Sequence, residues 1–426
     1  MRAFAPSLIA FAMLAGCAPV ARPATSIPTF AAQDFATEWR AVGTETGALG
    51  EIADLERLAR DFPDSGSVRL RLLSAQVSAG EFEGALSTLE YLYARGYVFS
   101  EAGQAQIGKL MAPVGAGRIA ERLRATAEPI ERSELVATVP AIAELPESVV
   151  RDPVTGRLLV TTVVGRSVYG VNPQGAWSEF NPLDSDNLSG IVRSPATGEF
   201  WVASGDIDQS DDALPAFAGL IKLGADGAKP VRLAAPAGGA PSDLAVSADG
   251  TFYASDPLSG AIYRGREGDA SLGILVPAGT LRSPQGLAIS ADGTKLYVSD
   301  YRYGIAIVAL TGGKIARLST ELPVLLDGID GLWRHGNELV GVQNGTSPMQ
   351  IVALQLSDDS MSVVGHRVLE RSHREWTEPL SGSLDGDALL YIANGQWDMF
   401  VAGKRLEGKP PRTTQIRSLP LGMPNR

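Results

Sequence analysis

The sequence predicts a mainly β protein: a six-bladed β-propeller preceded by a small α-helical domain. Three observations predict it. One pattern is written six times between residues 135 and 422: a short strand opened by Pro, Ser or Gly beside a polar residue, a Gly-containing turn, and a second strand. The copies recur every 42 to 53 residues, the length of a four-stranded blade, and six such blades close into one ring. Ahead of them, composition shifts to helix formers, with apolar residues at spacings of three and four. The 47 glycines of the 426-residue chain suit a fold that turns often.

The chain opens with Arg2, a short apolar run from Phe4 to Met13, and Leu14-Ala15-Gly16-Cys17. Cys17 is the only cysteine. The segment resembles the lipobox of bacterial lipoproteins. The resemblance implies a signal peptide over residues 1–16 and lipidation of the Cys17 thiol. Ala18 follows where inner-membrane retention uses Asp. The implied location is therefore the bacterial cell envelope, at the outer membrane and facing the periplasm. No later apolar run reaches the roughly 18 residues of a membrane helix, so the lipid is the expected anchor. Residues 17–30 are rich in Pro and small side chains and read as a flexible tether.

Residues 31–132 form the expected helical domain. Leu55, Leu58 and Ala59 make one stripe, ended by Phe62-Pro63-Asp64. Leu70, Leu72, Leu73 and Val77 make a second, ended near Gly80. Phe82, Ala85, Leu86, Leu89 and Leu92 make a third, ended at Gly96. The stretch from Ser67 to Tyr97 resembles a tetratricopeptide (TPR) repeat, through Gly80 at the turn, Phe82 after it and Ala85 at the small packing position. The usual first-helix aromatic is absent, and Tyr97 stands in place of the closing Pro. A lone repeat cannot cover its own apolar face. It either packs on the propeller or offers a groove to a protein partner.

The propeller is expected over residues 133–422. Its ends, Leu135–Val139 and Thr414–Leu419, both read as strands. A closed ring leaves no free edge, so these two are expected to share a blade. The six copies align on the Gly that often follows their polar residue. That alignment gives one column, Glu147, Ser189, Ser242, Gln285, Asp330 and Ser381, at the mouth of the central channel. All are oxygen-bearing. Two carboxylates facing one cavity disfavour each other's ionisation, and a cation relieves that cost. Oxygen donors select hard ions, which points to a divalent cation, Ca²⁺ before others.

Several motifs here resemble the SMP-30/gluconolactonase family. They are Pro146-Glu147 leading into Asp152-Pro153-Val154-Thr155-Gly156-Arg157; Pro284-Gln285-Gly286-Leu287-Ala288 with Asp292-Gly293 and Leu296-Tyr297-Val298-Ser299-Asp300; and Asp330-Gly331-Leu332 with Asn344-Gly345. The resemblance implies a metal held by Glu147, Gln285 and Asp330, with Asp330 as the catalytic general base for water attack on a sugar lactone. Gln285 stands where the family has Asn. Leu188 falls where a polar substrate contact is expected, with Asn187 beside it as a substitute. Asn187, Ser189, Ser242 and Ser381 are the further ligand candidates at the channel mouth.

Other chemistry is excluded or assigned to structure. A net charge of −11 lacks the basic footprint of a nucleic-acid binder. The three histidines show no zinc spacing. Asp249, Asp292 and Asp385, each before Gly, read as turn formers. Asp256 and Asp300 read as hydrogen-bond acceptors between blades. Two functions remain open: a metal-dependent lactone or ester hydrolase with a small sugar-lactone-like substrate, and a non-catalytic propeller scaffold that binds a ligand or a protein.

Overall fold

The computed structural model describes residues 38–112, 127–180, 184–210, 216–224 and 230–422. The segments expected as signal peptide and tether, and Cys17 with its expected lipid, lie outside the described residues.

Six sheets form the propeller. Blade one is Pro146–Arg151, Leu158–Thr162, Val168–Val171 and Trp177–Phe180, in that order from the channel outward. Blades two to four repeat the plan from Asn187–Arg193, Leu244–Val246 and Pro284–Ile289. Blade five starts at Leu332–His335 and carries an added edge strand, Ser319–Thr320. The six inner strands touch one another in a complete circle, blade six meeting blade one. Blade six is ordered Gly382–Asp385, Ala388–Ile392, Thr414–Pro420 and Glu134–Val139. The first propeller strand is thus the outermost strand of the last blade, as the edge argument requires.

Buried polar groups lock this closure. The Glu370 carboxylate of blade five accepts from the Arg132 and Ser133 backbone N–H groups, both at 2.9 Å, and from the Tyr391 hydroxyl at 2.7 Å. The Arg417 guanidinium donates to the Ser133 hydroxyl and carbonyl. The turn aspartates behave as their sequence suggests: Asp249 and Asp292 accept from nearby Ser and Thr groups inside their own turns. Asp385 instead pairs with Arg151 at 2.6 Å, tying blade six to blade one. Asp256 and Asp300 take the Ala240 and Arg282 N–H groups, pinning the chain as it enters blades three and four.

Five helices precede the ring: α1 (Thr44–Ala48), α2 (Ile52–Asp61), α3 (Gly66–Ala79), α4 (Phe82–Ala94) and α5 (Glu101–Leu110). The Ser65 hydroxyl caps α3 through the Val68 N–H, and Gly80 ends it at φ 75°, where a side chain would be strained. Among the described residues no helix is long and apolar enough to cross a membrane. Of the two sequence alternatives for the helical faces, packing on the propeller is what the structure shows. Leu55, Leu58, Ala59, Phe62 and Leu72 share one buried cluster with Ile262, Val298 and Tyr303 of blades three and four. The Phe62 ring lies between Trp39 at 5.1 Å and Tyr303 at 4.9 Å. The Asp327 carboxylate, from the propeller, accepts from the Gly66 and Ser67 N–H groups at 2.8 Å and so caps α3 from outside. Asp64 pairs with Arg317 of blade four at 2.6 Å, both side chains buried.

Candidate metal and substrate site

A cavity of about 1100 Å³ opens on the ring axis. All six blades line it, through Glu147, Asp208, Ser242, Gln285, Asp330 and Glu378 among others. The helical region lines it too, through Thr44 and Gly47 of α1 and Arg71 of α3.

Backbone irregularity aims the key residues inward. In blade one, Pro146 pairs with Thr162 but the next pair is Val149 with Val160, so Glu147 and Ser148 face a single partner residue. Blade four repeats this, with Gln285 and Gly286 opposite Ser299, and blade two does so with Ser189 and Gly190 opposite Ala203. Such bulges turn a side chain out of the pleat. Gly286 is needed for a second reason. Its N–H donates to the Asp330 carbonyl of the next blade at 2.7 Å, and a Cβ would lie 2.3 Å from the Leu332 nitrogen. The two motif positions Gln285 and Asp330 are therefore tied together through backbone.

The floor is acidic and half-buried. The Trp397 indole N–H donates to Glu147 Oε2 at 3.1 Å. The Asn344 amide N–H₂ donates to Asp330 Oδ2 at 3.3 Å and to the Pro379 carbonyl at 2.9 Å, while its Oδ1 accepts from the Tyr301 hydroxyl at 2.7 Å. Burial, then the charges of Asp330 and Glu378, push the Glu147 carboxyl well above the usual range. Burial, then Glu378 and Asp243, raise Asp330 to about 8. Glu378 is raised to about 7 by burial and then by Asp398, and Asp243 to about 6 by burial. Among the described residues none of these four has an ion-pair partner.

Glu147, Ser242, Gln285 and Asp330 all line the cavity. Asn187, Ser189 and Ser381 do not, and here the expectation needs correction. The Asn187 amide is fully buried, donating to the Val163 and Gln209 carbonyls and accepting from the Ile207 N–H. It holds a loop in shape. The Ser189 hydroxyl donates to the Ser242 carbonyl at 2.6 Å, a staple between blades two and three. Ser381 is buried beside Leu380, its hydroxyl without a partner among the described residues. Glu378, Asp243, Tyr301 and Arg71 escaped the sequence reading. Asp243 occupies the Gly position of its copy, one residue from the column. Glu378 sits ahead of its copy, and Arg71 lies outside the repeat altogether.

The donor set fits a hard cation. It offers two carboxylates without basic partners and the amide of Gln285, all oxygen-bearing and all on one cavity. Among the described residues no three His, Cys, Asp or Glu side chains converge to hold a metal by themselves.

No family model matches the chain, and no curated protein matches it. Solved structures do superpose. A gluconolactonase from Xanthomonas campestris, described as important in glucose secondary metabolic pathways, is 17% identical and aligns over 70% of this chain and 97% of its own, with a TM-score of 0.45. A calcium-binding protein, regucalcin, from Agrobacterium tumefaciens is 16% identical over 67% of this chain and 95% of its own, at 0.44. Virginiamycin B lyase from Staphylococcus aureus is 13% identical over 61% and 81%, at 0.45. At these identities and TM-scores the likenesses transfer neither activity nor ligand to this chain.

Proposed function

We propose that the protein is a divalent-cation-dependent hydrolase of lactones or related esters, in keeping with the SMP-30/gluconolactonase resemblance of its motifs. The observation that carries this reading is the meeting of Glu147 and Asp330, from blades one and five, on one half-buried cavity floor without basic partners. Glu147, Asp330 and the Gln285 amide oxygen are the residues to hold the cation. When bound, it neutralises the two carboxylates and polarises the carbonyl under attack. The protein's own groups do the rest. Asp330 takes the proton of the attacking water and returns it to the ring oxygen as the lactone C–O bond breaks. Asn344, itself held by Tyr301 and Pro379, fixes the orientation of Asp330. Trp397 fixes Glu147. Leu380 and Ile207 supply apolar wall.

Metal-stripped protein is expected to leave aldono-lactones intact. Added Ca²⁺, Mg²⁺ or Mn²⁺ should restore ring opening, followed as acid release in a pH-stat. Stabilisation by a cation without turnover of any lactone would favour the non-catalytic binding propeller. No response to any of the cations in melting or turnover would remove the hydrolase reading.

A further inference from the structure

We propose that the natural ligand carries an anionic group, a carboxylate or a phosphate, which Arg71, Arg282 and Arg302 bind while the reacting group lies over Glu147 and Asp330. The placement of the reacting group rests on the hydrolase reading; the anion site rests on the arginines alone.

Three arginines line the same cavity as the acidic floor. They come from three separate stretches of chain: Arg71 from α3, Arg282 from the segment entering blade four, and Arg302 from the loop after the second strand of that blade. None makes an ion pair among the described residues. Arg282 and Arg302 make no side-chain hydrogen bond there either. Arg302 is exposed, and Arg71 and Arg282 are half-buried. Arg71 is set in place by the end of α1, donating to the Thr46 and Leu49 carbonyls at 2.9 and 2.8 Å. The helical region therefore supplies part of the binding wall. The one acid of the lining outside the floor is Asp208 of the blade-two loop.

Three like charges around one opening repel one another, and an anion relieves that cost. Guanidinium forks match carboxylate and phosphate oxygens in two parallel hydrogen bonds. The acidic floor rejects an anion unless a cation covers it, so the charged arm of a ligand belongs at the arginines. There is room for both parts: about 1100 Å³ exceeds the roughly 300–1,000 Å³ of ordinary ligand pockets.

The test uses three matched polyols: neutral sorbitol, gluconate with a carboxylate, and sorbitol 6-phosphate with a phosphate. Binding of each is measured by calorimetry on the whole protein, with and without Ca²⁺. At least one anion is expected to bind about tenfold or more tighter than sorbitol (about 1.4 kcal/mol per tenfold). The stronger of the two names the source. The double variant Arg282→Gln/Arg302→Gln should lose that gain while keeping the Ca²⁺ response of the melting curve. Equal binding of all three polyols overturns the proposal. So does an undiminished anion gain in the double variant, which would place the anion at the floor, and so does a failure of both anions to bind. If Ca²⁺ has no effect on melting, the hydrolase reading fails, and the comparison made without Ca²⁺ still decides the anion site.

Discussion

Asp330→Asn is expected to abolish lactone hydrolysis and most of the Ca²⁺-dependent rise in melting temperature, while the metal-free protein melts at or above the wild-type temperature. Both parts follow from the floor. The substitution removes the proton acceptor and one of two anionic donors, so catalysis and cation affinity fall together. Removing a general base typically costs 10²–10⁴-fold in rate. The third part separates a site residue from a fold residue. Asp330 is half-buried, desolvated beside the charges of Glu378 and Asp243, and has no basic partner among the described residues. Its ionisation opposes folding unless a cation is bound. Asn keeps the shape and removes the charge. A variant that unfolds, or one that keeps a full Ca²⁺ response, would contradict this assignment.

Arg317→Met is expected to lower stability by about 3–5 kcal/mol near neutral pH, the range for removing one partner of a buried ion pair. Arg317 and Asp64 are both nearly inaccessible to water. Burial already pushes Asp64 up to about 6 despite the neighbouring Arg317, Arg95 and Arg69. The sign with pH follows. An aspartate raised in the folded state contributes most at pH below its unfolded value, and that contribution is lost as pH rises through about 6. The cost of Arg317→Met should therefore be larger at pH 7.5 than at pH 5, where the carboxyl of Asp64 takes up a proton. Replacing both partners by apolar residues should recover much of the loss. Urea unfolding at the two pH values measures this, and a loss below about 1 kcal/mol at pH 7.5 would show that the contact does not hold the helices on the propeller. Because Thr44, Gly47 and Arg71 line the cavity, loosened helices should also weaken ligand binding.

Much of this architecture is legible in the chain. The blade period is long, and each copy carries its own turn residues, so the six blades stand out locally. Closure follows from the need to cover strand edges, and the terminal strands Glu134–Val139 and Thr414–Pro420 do pair. The helices show in their stripes because α2 to α4 bury Leu55, Leu72 and Leu89 in turn. The site was legible only where repeat symmetry carries it. Glu147, Gln285 and Asp330 reach the cavity because equivalent positions of different blades converge. Ser189 occupies an equivalent position and still turns to the Ser242 carbonyl, since a hydroxyl is short enough to bond the next blade. Alignment cannot separate those two outcomes. Glu378 and Arg71 are invisible for another reason. They reach the cavity from outside the repeat, through contacts that only the folded chain makes.

The most direct measurement is the count of protons released when Ca²⁺ binds. In the metal-free protein Asp330 is raised to about 8 and Glu378 to about 7, with Glu147 raised as well. Near pH 7 the floor therefore holds protons that free carboxyls would have lost. A cation favours the ionised forms and expels them. Titration calorimetry of metal-stripped protein with Ca²⁺ at pH 7, repeated in buffers of different ionisation enthalpy, reads this release. Binding is expected with at least about half a proton released per Ca²⁺, and the signal is expected to be lost in Asp330→Asn. Binding without proton release, or no binding at all, would contradict a cation held by Glu147 and Asp330.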